Sequence, residues 1–303
     1  MGSADAVPGI SGGTVALIGG IYGRLINAIT AITPARSLDL LKAILPIGFG
    51  ISRHRAKLIL REFDVIFVAT LLTGIATAVV IVGRVVEYAA ARAPVLLFGL
   101  FFGLIAASAV ILWRELTIDT IGQGLAAVTG FSLAFVLSGG VKLFEGGGLT
   151  VVFVAGAIAV SAMILPGISG SLLLIILGQY IPMYDSLNSF LDGLGGVATG
   201  GAIEAVITPG RDVFTFLVGG LLGLFTVARL IRRLLRRNRE ATLAFLVALV
   251  FGALRAPIAE LSGNEEFNWT VATLGEFGVL ALVGAVLVLI LDWYAIDIDF
   301  GSL

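Results

Sequence analysis

The sequence predicts an all-α polytopic membrane protein made of two inverted-topology repeats, each a re-entrant or broken-helix segment followed by three transmembrane helices. Three observations predict it. Charge-free apolar runs recur along 303 residues whose mean hydropathy is +1.09. A Pro-Gly-Ile-Ser-Gly pentapeptide occurs twice, 158 positions apart. Basic residues gather in loops that fall on one side of the membrane.

Hydrophobic residues make up 58% of the chain and charged residues 13%, more apolar surface than a soluble chain of this size can cover. The chain is therefore counted in spans of ~20 residues. A net charge of −1 gives nucleic acid nothing to bind. The absence of cysteine excludes disulfides, thiolate metal sites and cysteine nucleophiles. His54, the single histidine, lies in the basic run Arg53-His54-Arg55 and reads as an exposed loop residue. No metal site and no cofactor is expected.

Taken in order, the apolar runs are Ala6–Gly23, Val65–Gly83, Ala93–Trp113 and Thr120–Val141. Gly146–Tyr184 follows, with 39 charge-free residues broken by Pro166-Gly167, and reads either as a re-entrant hairpin or as two passes. Val213–Ala228, Ala241–Leu254 and Phe267–Leu291 complete the set. Trp269 and Trp293 bracket the last run as interfacial anchors do. Met1-Gly2-Ser3-Ala4-Asp5 shows none of the features of a secretory signal.

Loops 36–61 and 229–239, with Arg114, place 13 basic residues on one side; Arg84, Arg92, Lys142, Arg211 and Arg255 fall on the other. The rich side is expected to be cytoplasmic, in a multi-pass protein of the cell membrane.

Pro8-Gly9-Ile10-Ser11-Gly12 recurs as Pro166-Gly167-Ile168-Ser169-Gly170, and the same offset pairs Gly20 with Gly178 and Tyr22 with Tyr180. Phe67, Leu72 and Gly74 then pair with Phe216, Leu221 and Gly223, and Leu100, Phe102 and Gly103 with Leu249, Phe251 and Gly252, at an offset of 149. Each unit is a motif-bearing segment plus three spans, 1–141 and 142–303. An odd number of passes inverts the second unit, the plan of many secondary transporters. Repeat logic leaves the first motif without the apolar arm that precedes the second. Its hairpin reads as truncated, and an apolar stretch is expected upstream of Met1.

Pro-Gly cannot continue a helix, since Pro lacks a donor and Gly costs propensity. Ser11 and Ser169 read as N-caps of new half-helices, with Gly12, Gly13, Thr14, Gly170 and Ser171 in their first turns. Unpaired N–H groups at membrane depth call for a cavity or a ligand, and the helix dipole favours an anion such as phosphate or carboxylate. The competing reading is a plain Pro-Gly kink with local capping. The candidate substrate-binding set is Pro8, Gly9, Ser11, Gly12, Gly13, Thr14, Arg24, Pro166, Gly167, Ser169, Gly170 and Ser171. No residue is assigned a catalytic role.

The stretches Asp5–Thr14 with Ile21-Tyr22, and Met163–Gly170 with Gly178-Gln179-Tyr180, resemble the polyprenyl-phosphate (undecaprenyl-phosphate) translocase family of prokaryotes (the PopT type). The resemblance covers nearly the whole chain. It implies flipping of a C55-type or dolichyl-type phosphorylated carrier lipid from the outer leaflet to the cytoplasmic one, which recycles the carrier for envelope synthesis. Membrane lipids and polyprenyl phosphate are the implied partners.

Charges within or beside the spans are the next candidates, because they are costly there. Arg24 is placed to pair with a phosphate, and Asp5 or Glu276 to carry a coupling ion, a proton or sodium. Each also reads as a structural ion pair or an interfacial residue. Gly19-xxx-Gly23, Gly99-xxx-Gly103 and Gly219-xxx-Gly223 read as close helix contacts, within one chain or across a homodimer. Three other readings remain: an ion-coupled carrier of a small soluble anion; a membrane enzyme, for which the spans offer only scattered acids; and a non-transporting scaffold protein, in which paired broken helices would be needless.

Overall fold

The computed structural model describes residues 1–12, 15–16, 19–31, 62–114, 116–138, 148–162, 169–263 and 267–296. All regular structure among them is helical: α1 (Gly2–Ala6), α2 (Tyr22–Ala31), α3 (Val65–Arg92), α4 (Pro94–Arg114), α5 (Ile121–Leu137), α6 (Leu149–Ala162), α7 (Gly170–Ile176), α8 (Tyr180–Ala198), α9 (Glu204–Arg237), α10 (Arg239–Ala253), α11 (Arg255–Ser262) and α12 (Val271–Ile296). Val65–Arg92, Pro94–Arg114, Glu204–Leu224, Arg239–Ser262 and Val271–Tyr294 are long and apolar enough to cross a membrane. The surface is that of a multi-pass membrane protein. Ile66, Ile121 and Val271 are 81%, 85% and 90% exposed, an apolar exterior that water would not tolerate.

Lipid offers no hydrophobic drive between helices, so close backbone approach has to supply the packing. Glycines do this in three helix pairs. Against α12, a β-carbon on Gly103 of α4 would overlap the Ala281 carbonyl oxygen, and one on Gly99 would lie 2.7 Å from that of Phe277. α5 meets α10 through Gly130 and Gly252, and α6 meets α9 through Gly156, Gly219 and Gly223. Two of the three expected Gly-xxx-Gly contacts thus join helices within the chain. Among the described residues, Gly19 meets its own preceding turn at Val15 and Ala16. In the centre, Phe101, Leu104, Ile105, Leu172 and Val250 are almost fully buried.

Several elements differ in extent from the sequence reading, and each difference has a local cause. α3 continues past Gly83 to Arg92, because Arg84 is neutralised on the helix by Asp192 of α8 (Nη1 to Oδ2, 2.8 Å). The expected Thr120–Val141 span is a helix of 17 residues, Ile121–Leu137. A capping box starts it, with the Gln123 N–H donating to Thr120 Oγ1 (3.3 Å) and the Thr120 N–H to Gln123 Oε1 (2.9 Å). Within 146–184 the chain forms α6 and then α7. The helix that starts at Tyr180 runs on to Ala198, since Asp185 and Asp192 sit on it rather than end it. The arginines of 229–239, expected in a loop, extend α9 through Arg237; arginine is a good helix former and the helix outlasts the apolar run. The next helix begins at Arg239, where Asn238 Oδ1 accepts from the Ala241 N–H (3.0 Å). Loop 36–61, Gly13, Thr14, Pro166 and Gly167 lie outside the described residues.

Candidate functional site

The first motif is a break in the helical path. The chain leaves α1 at Ala6, turns over Val7–Ile10, and resumes helix at Gly12, the Ser11 carbonyl accepting from the Val15 N–H (3.3 Å). Gly9 sits at φ +88°, where an L side chain is strained. Its α-carbon also has no room for a β-carbon, which would lie 2.7 Å from the Leu104 backbone.

A break at membrane depth frees carbonyls that water cannot reach. Here three of them, at Ala6, Val7 and Gly9, find a hydroxyl from elsewhere in the chain. The Ala6 carbonyl accepts from Tyr180 OH (2.8 Å) and lies 3.2 Å from Tyr184 OH. The Val7 carbonyl accepts from Ser169 Oγ (3.4 Å), and Ser169 Oγ lies 2.6 Å from Ser171 Oγ. The Ser108 hydroxyl reaches the Gly9 carbonyl, with Leu104 of its own helix as the alternative acceptor at 2.8 Å. The donor side is met by a carboxylate: Asp5 Oδ1 accepts from the Gly12 N–H at 2.8 Å.

One capping expectation is corrected in part by this geometry. Ser169 is the N-cap residue of α7 (φ −94°, ψ 134°), yet its side chain makes no cap bond and turns to Val7 and Ser171 instead. At the first motif the Asp5 carboxyl accepts from the Gly12 amide, and Gly13 and Thr14, whose amides a Ser11 cap would reach, lie outside the described residues. A β-carbon on Gly12 would strike the Asp5 carboxyl and displace it from this bond.

The repeat extends into backbone geometry. Gly20 and Gly178 both adopt left-handed φ, +66° and +64°, and new helices start at Tyr22 and Tyr180. Two cavities flank the motifs. A crevice of about 90 Å³ touches Gly9, Ser11, Ser108 and Asp292. A cavity of about 990 Å³ lies at the far end of α7, against Phe98, Ile176, Gly178, Arg255 and Glu260. Buried hydroxyls and a helix-start amide are the polar groups gathered here, their donors turned to carbonyls and to the Asp5 carboxyl. No cluster of three or more acidic or histidine ligands occurs among the described residues.

The model of the undecaprenyl phosphate translocase-like family matches residues 1–276 of this chain. The chain belongs to that family. A polyprenyl-phosphate transporter of Vibrio cholerae serotype O1 is 32% identical over 278 residues, covering 91% of this chain and 79% of the relative. No solved structure matches. The resemblance carried by the two motifs therefore holds, and both names describe transport rather than catalysis.

In this translocase-like chain, Pro8, Gly9, Ser11 and Gly12 share one region with Ser169, Gly170 and Ser171, all buried or nearly so, and the Ser169–Val7 bond joins the two halves. Arg24 is elsewhere. It is exposed, donates to Asp64 (2.5 and 3.0 Å) and lies 4.3 Å from the Phe67 ring centroid. Its guanidinium holds the Asp64 carboxyl below the usual carboxylate range. Glu276 is exposed in the second turn of α12, and no hydrogen bond or ion pair among the described residues links it to either motif. Sequence reasoning missed Ser108, Tyr180 and Tyr184 as parts of the site. Tyr180 had a signal in its repeat partner Tyr22; Ser108 had only its polarity within an apolar span.

Proposed function

We propose that the protein flips polyprenyl phosphate from the outer to the cytoplasmic leaflet, with the phosphate held where the two motifs meet and the tail left in lipid. The observation that carries this reading is the contact of Ser169 Oγ with the Val7 carbonyl, which brings the first Pro-Gly break and the start of α7 into one hydroxyl-lined region. The family match and the Vibrio cholerae relative support the substrate class. A carboxylate already occupies the Gly12 amide, so this helix start presents a donor to anionic oxygen. On this account Asp5 stands in for the phosphate at the Gly12 amide and yields when the lipid binds. Its exchange makes it the preferred carrier of a coupling proton.

Inverted repeats over 1–141 and 142–303 fit the helix pairing. α4 packs on α12, and α10, which matches α4 at the 149 offset, packs on α5. Such exchange of partners is what a two-fold relation between halves produces. The arginines of 36–61 and 229–239 then mark the cytoplasmic side.

Leaflet exchange of labelled polyprenyl phosphate in liposomes tests the reading, with neutral polyprenol and the Ser11→Ala and Ser169→Ala variants beside it. Exchange of the phosphate form alone, reduced in both variants, is expected. Equal exchange of polyprenol removes the phosphate site. Uptake of a soluble anion without lipid exchange makes the protein a small-anion carrier instead.

A further inference from the structure

The two cavities lie at opposite ends of α4: Pro94 and Phe98 line the large one, Ser108 and Ile111 the small one. They also occupy corresponding places in the two halves. Ile111 and Leu112 beside the crevice match Glu260 and Leu261 of the large cavity at the 149 offset. Yet their volumes, about 990 and 90 Å³, differ by about an order of magnitude. The first lies at the upper end of the ~300–1,000 Å³ typical of ligand pockets; the second is far below it.

A packed layer separates them. Phe101 and Leu104 are 1% exposed and Ile105 0%. The Phe101 ring meets Tyr180 edge-on, centroids 5.4 Å apart, and Tyr180 holds the Ala6 carbonyl beside the first break. The path from the large cavity to the Gly9–Ser11 crevice is shut at this layer.

The electrostatics of the large cavity turn on one side chain. Glu260, which has a partner of its own, and the carbonyl ends of α5 and α7 at Ser138 and Leu177 all make it electronegative. Arg255 opposes them. Its guanidinium lies 4.4 Å from the Phe135 ring centroid and donates from Nη1 to the Phe135 carbonyl at 2.8 Å, which fixes its plane. A guanidinium has five N–H donors, so such a bond leaves capacity for a phosphate. Pro94, Phe98, Ile176 and Phe267 supply an apolar wall for the first isoprene units.

We propose that the large cavity is the open outer port for the substrate's phosphate headgroup, that Arg255 is its cationic contact, and that the Phe101–Tyr180 layer closes the way to the opposite crevice in this conformation. The proposal rests on the polyprenyl-phosphate reading above. It adds an outward-open state and a headgroup contact outside both motifs.

The chain has no cysteine, so single-cysteine variants report cleanly. The full-length protein in nanodiscs, both faces reachable, is treated with a water-soluble maleimide. Ile258→Cys, in the large cavity, is expected to label readily and to lose that labelling when polyprenyl phosphate is added, but not with polyprenol. Val15→Cys, in the crevice, is expected to resist labelling. Arg255→Gln is expected to weaken polyprenyl-phosphate binding about tenfold, the loss of a charge-assisted bond, while Arg255→Lys keeps most of it and Glu260→Gln does not weaken it. Comparable labelling of the two cysteines overturns the closed layer. Equal protection by polyprenol, or wild-type binding by Arg255→Gln, overturns the port. Should wild-type liposomes still exchange polyprenyl phosphate selectively, that failure leaves the functional reading standing. Should they exchange neither lipid, both fall.

Discussion

The Tyr180 hydroxyl donates to the Ala6 carbonyl at 2.8 Å, a bond across 174 positions that ties the start of α8 to the residue two before Pro8. It satisfies a carbonyl that the Pro-Gly break had released, and it sets Tyr180 against Phe101. Fold, site and barrier meet at this bond.

Tyr180→Phe keeps the ring packing and removes the donor. Tyr184 OH, 3.2 Å from the same carbonyl, can take over only in part. A loss of about 1–2 kcal/mol in stability is expected, with a smaller loss for Tyr184→Phe. Thermal unfolding in detergent checks the order of the two, and the reverse order would assign the bond to Tyr184.

Gly103 and Gly74 are both glycines inside long apolar helices, and they should respond oppositely to alanine. At Gly103 the new methyl meets the Ala281 carbonyl oxygen; at Gly74 there is nothing within 4 Å. Gly103→Ala should cost about 2–3 kcal/mol by forcing α4 and α12 apart, whereas Gly74→Ala should be neutral or gain up to about 1 kcal/mol from helix propensity. Paired melting curves decide it.

Asp5→Asn retains an acceptor for the Gly12 amide but loses the charge. Stability should fall by about 1 kcal/mol, while polyprenyl phosphate should bind more tightly, its internal competitor having been weakened. Titration of the purified variant separates these effects. Binding that weakens together with stability would make Asp5 a purely structural cap.

The Arg84 guanidinium holds the Asp192 carboxyl below its usual range. A depressed folded-state value means that the tie contributes above the unfolded value of ~3.9 and is lost as pH falls through the folded one. Asp192→Asn should therefore melt lower than wild type from neutral pH to about pH 5, and the gap should close below about pH 4. A gap independent of pH would place the effect in helix packing.

The breaks were legible because they are local: Pro8 lacks a donor and Gly9 takes a φ that other residues avoid. The match of Gly20 and Tyr22 to Gly178 and Tyr180 was legible because the repeat preserves order and spacing. What the breaks need in return was not. The acceptors left by Pro8-Gly9 are met by Ser108, Ser169 and Tyr180, contacts made by folding and marked by no local pattern. Hydropathy cut α3 at Arg84 and ended the Gly146–Tyr184 run before Asp185, because a charge reads as an end unless its partner is known. Arg24 reads from sequence either as a phosphate ligand or as half of an ion pair for the same reason: Asp64, its partner, lies 40 positions away. Ser169 was expected to cap its own helix and instead reaches the other motif.

Binding to the purified protein tests the central claim most directly. A short-chain polyprenyl phosphate and the matching polyprenol are titrated against wild type, Ser169→Ala and Ser11→Ala, with inorganic phosphate as competitor. The account predicts that the phosphate form binds wild type at least about tenfold more tightly than the alcohol, that inorganic phosphate displaces it, and that both serine variants lose much of the difference. Equal affinity for the two lipids in all three proteins would contradict it.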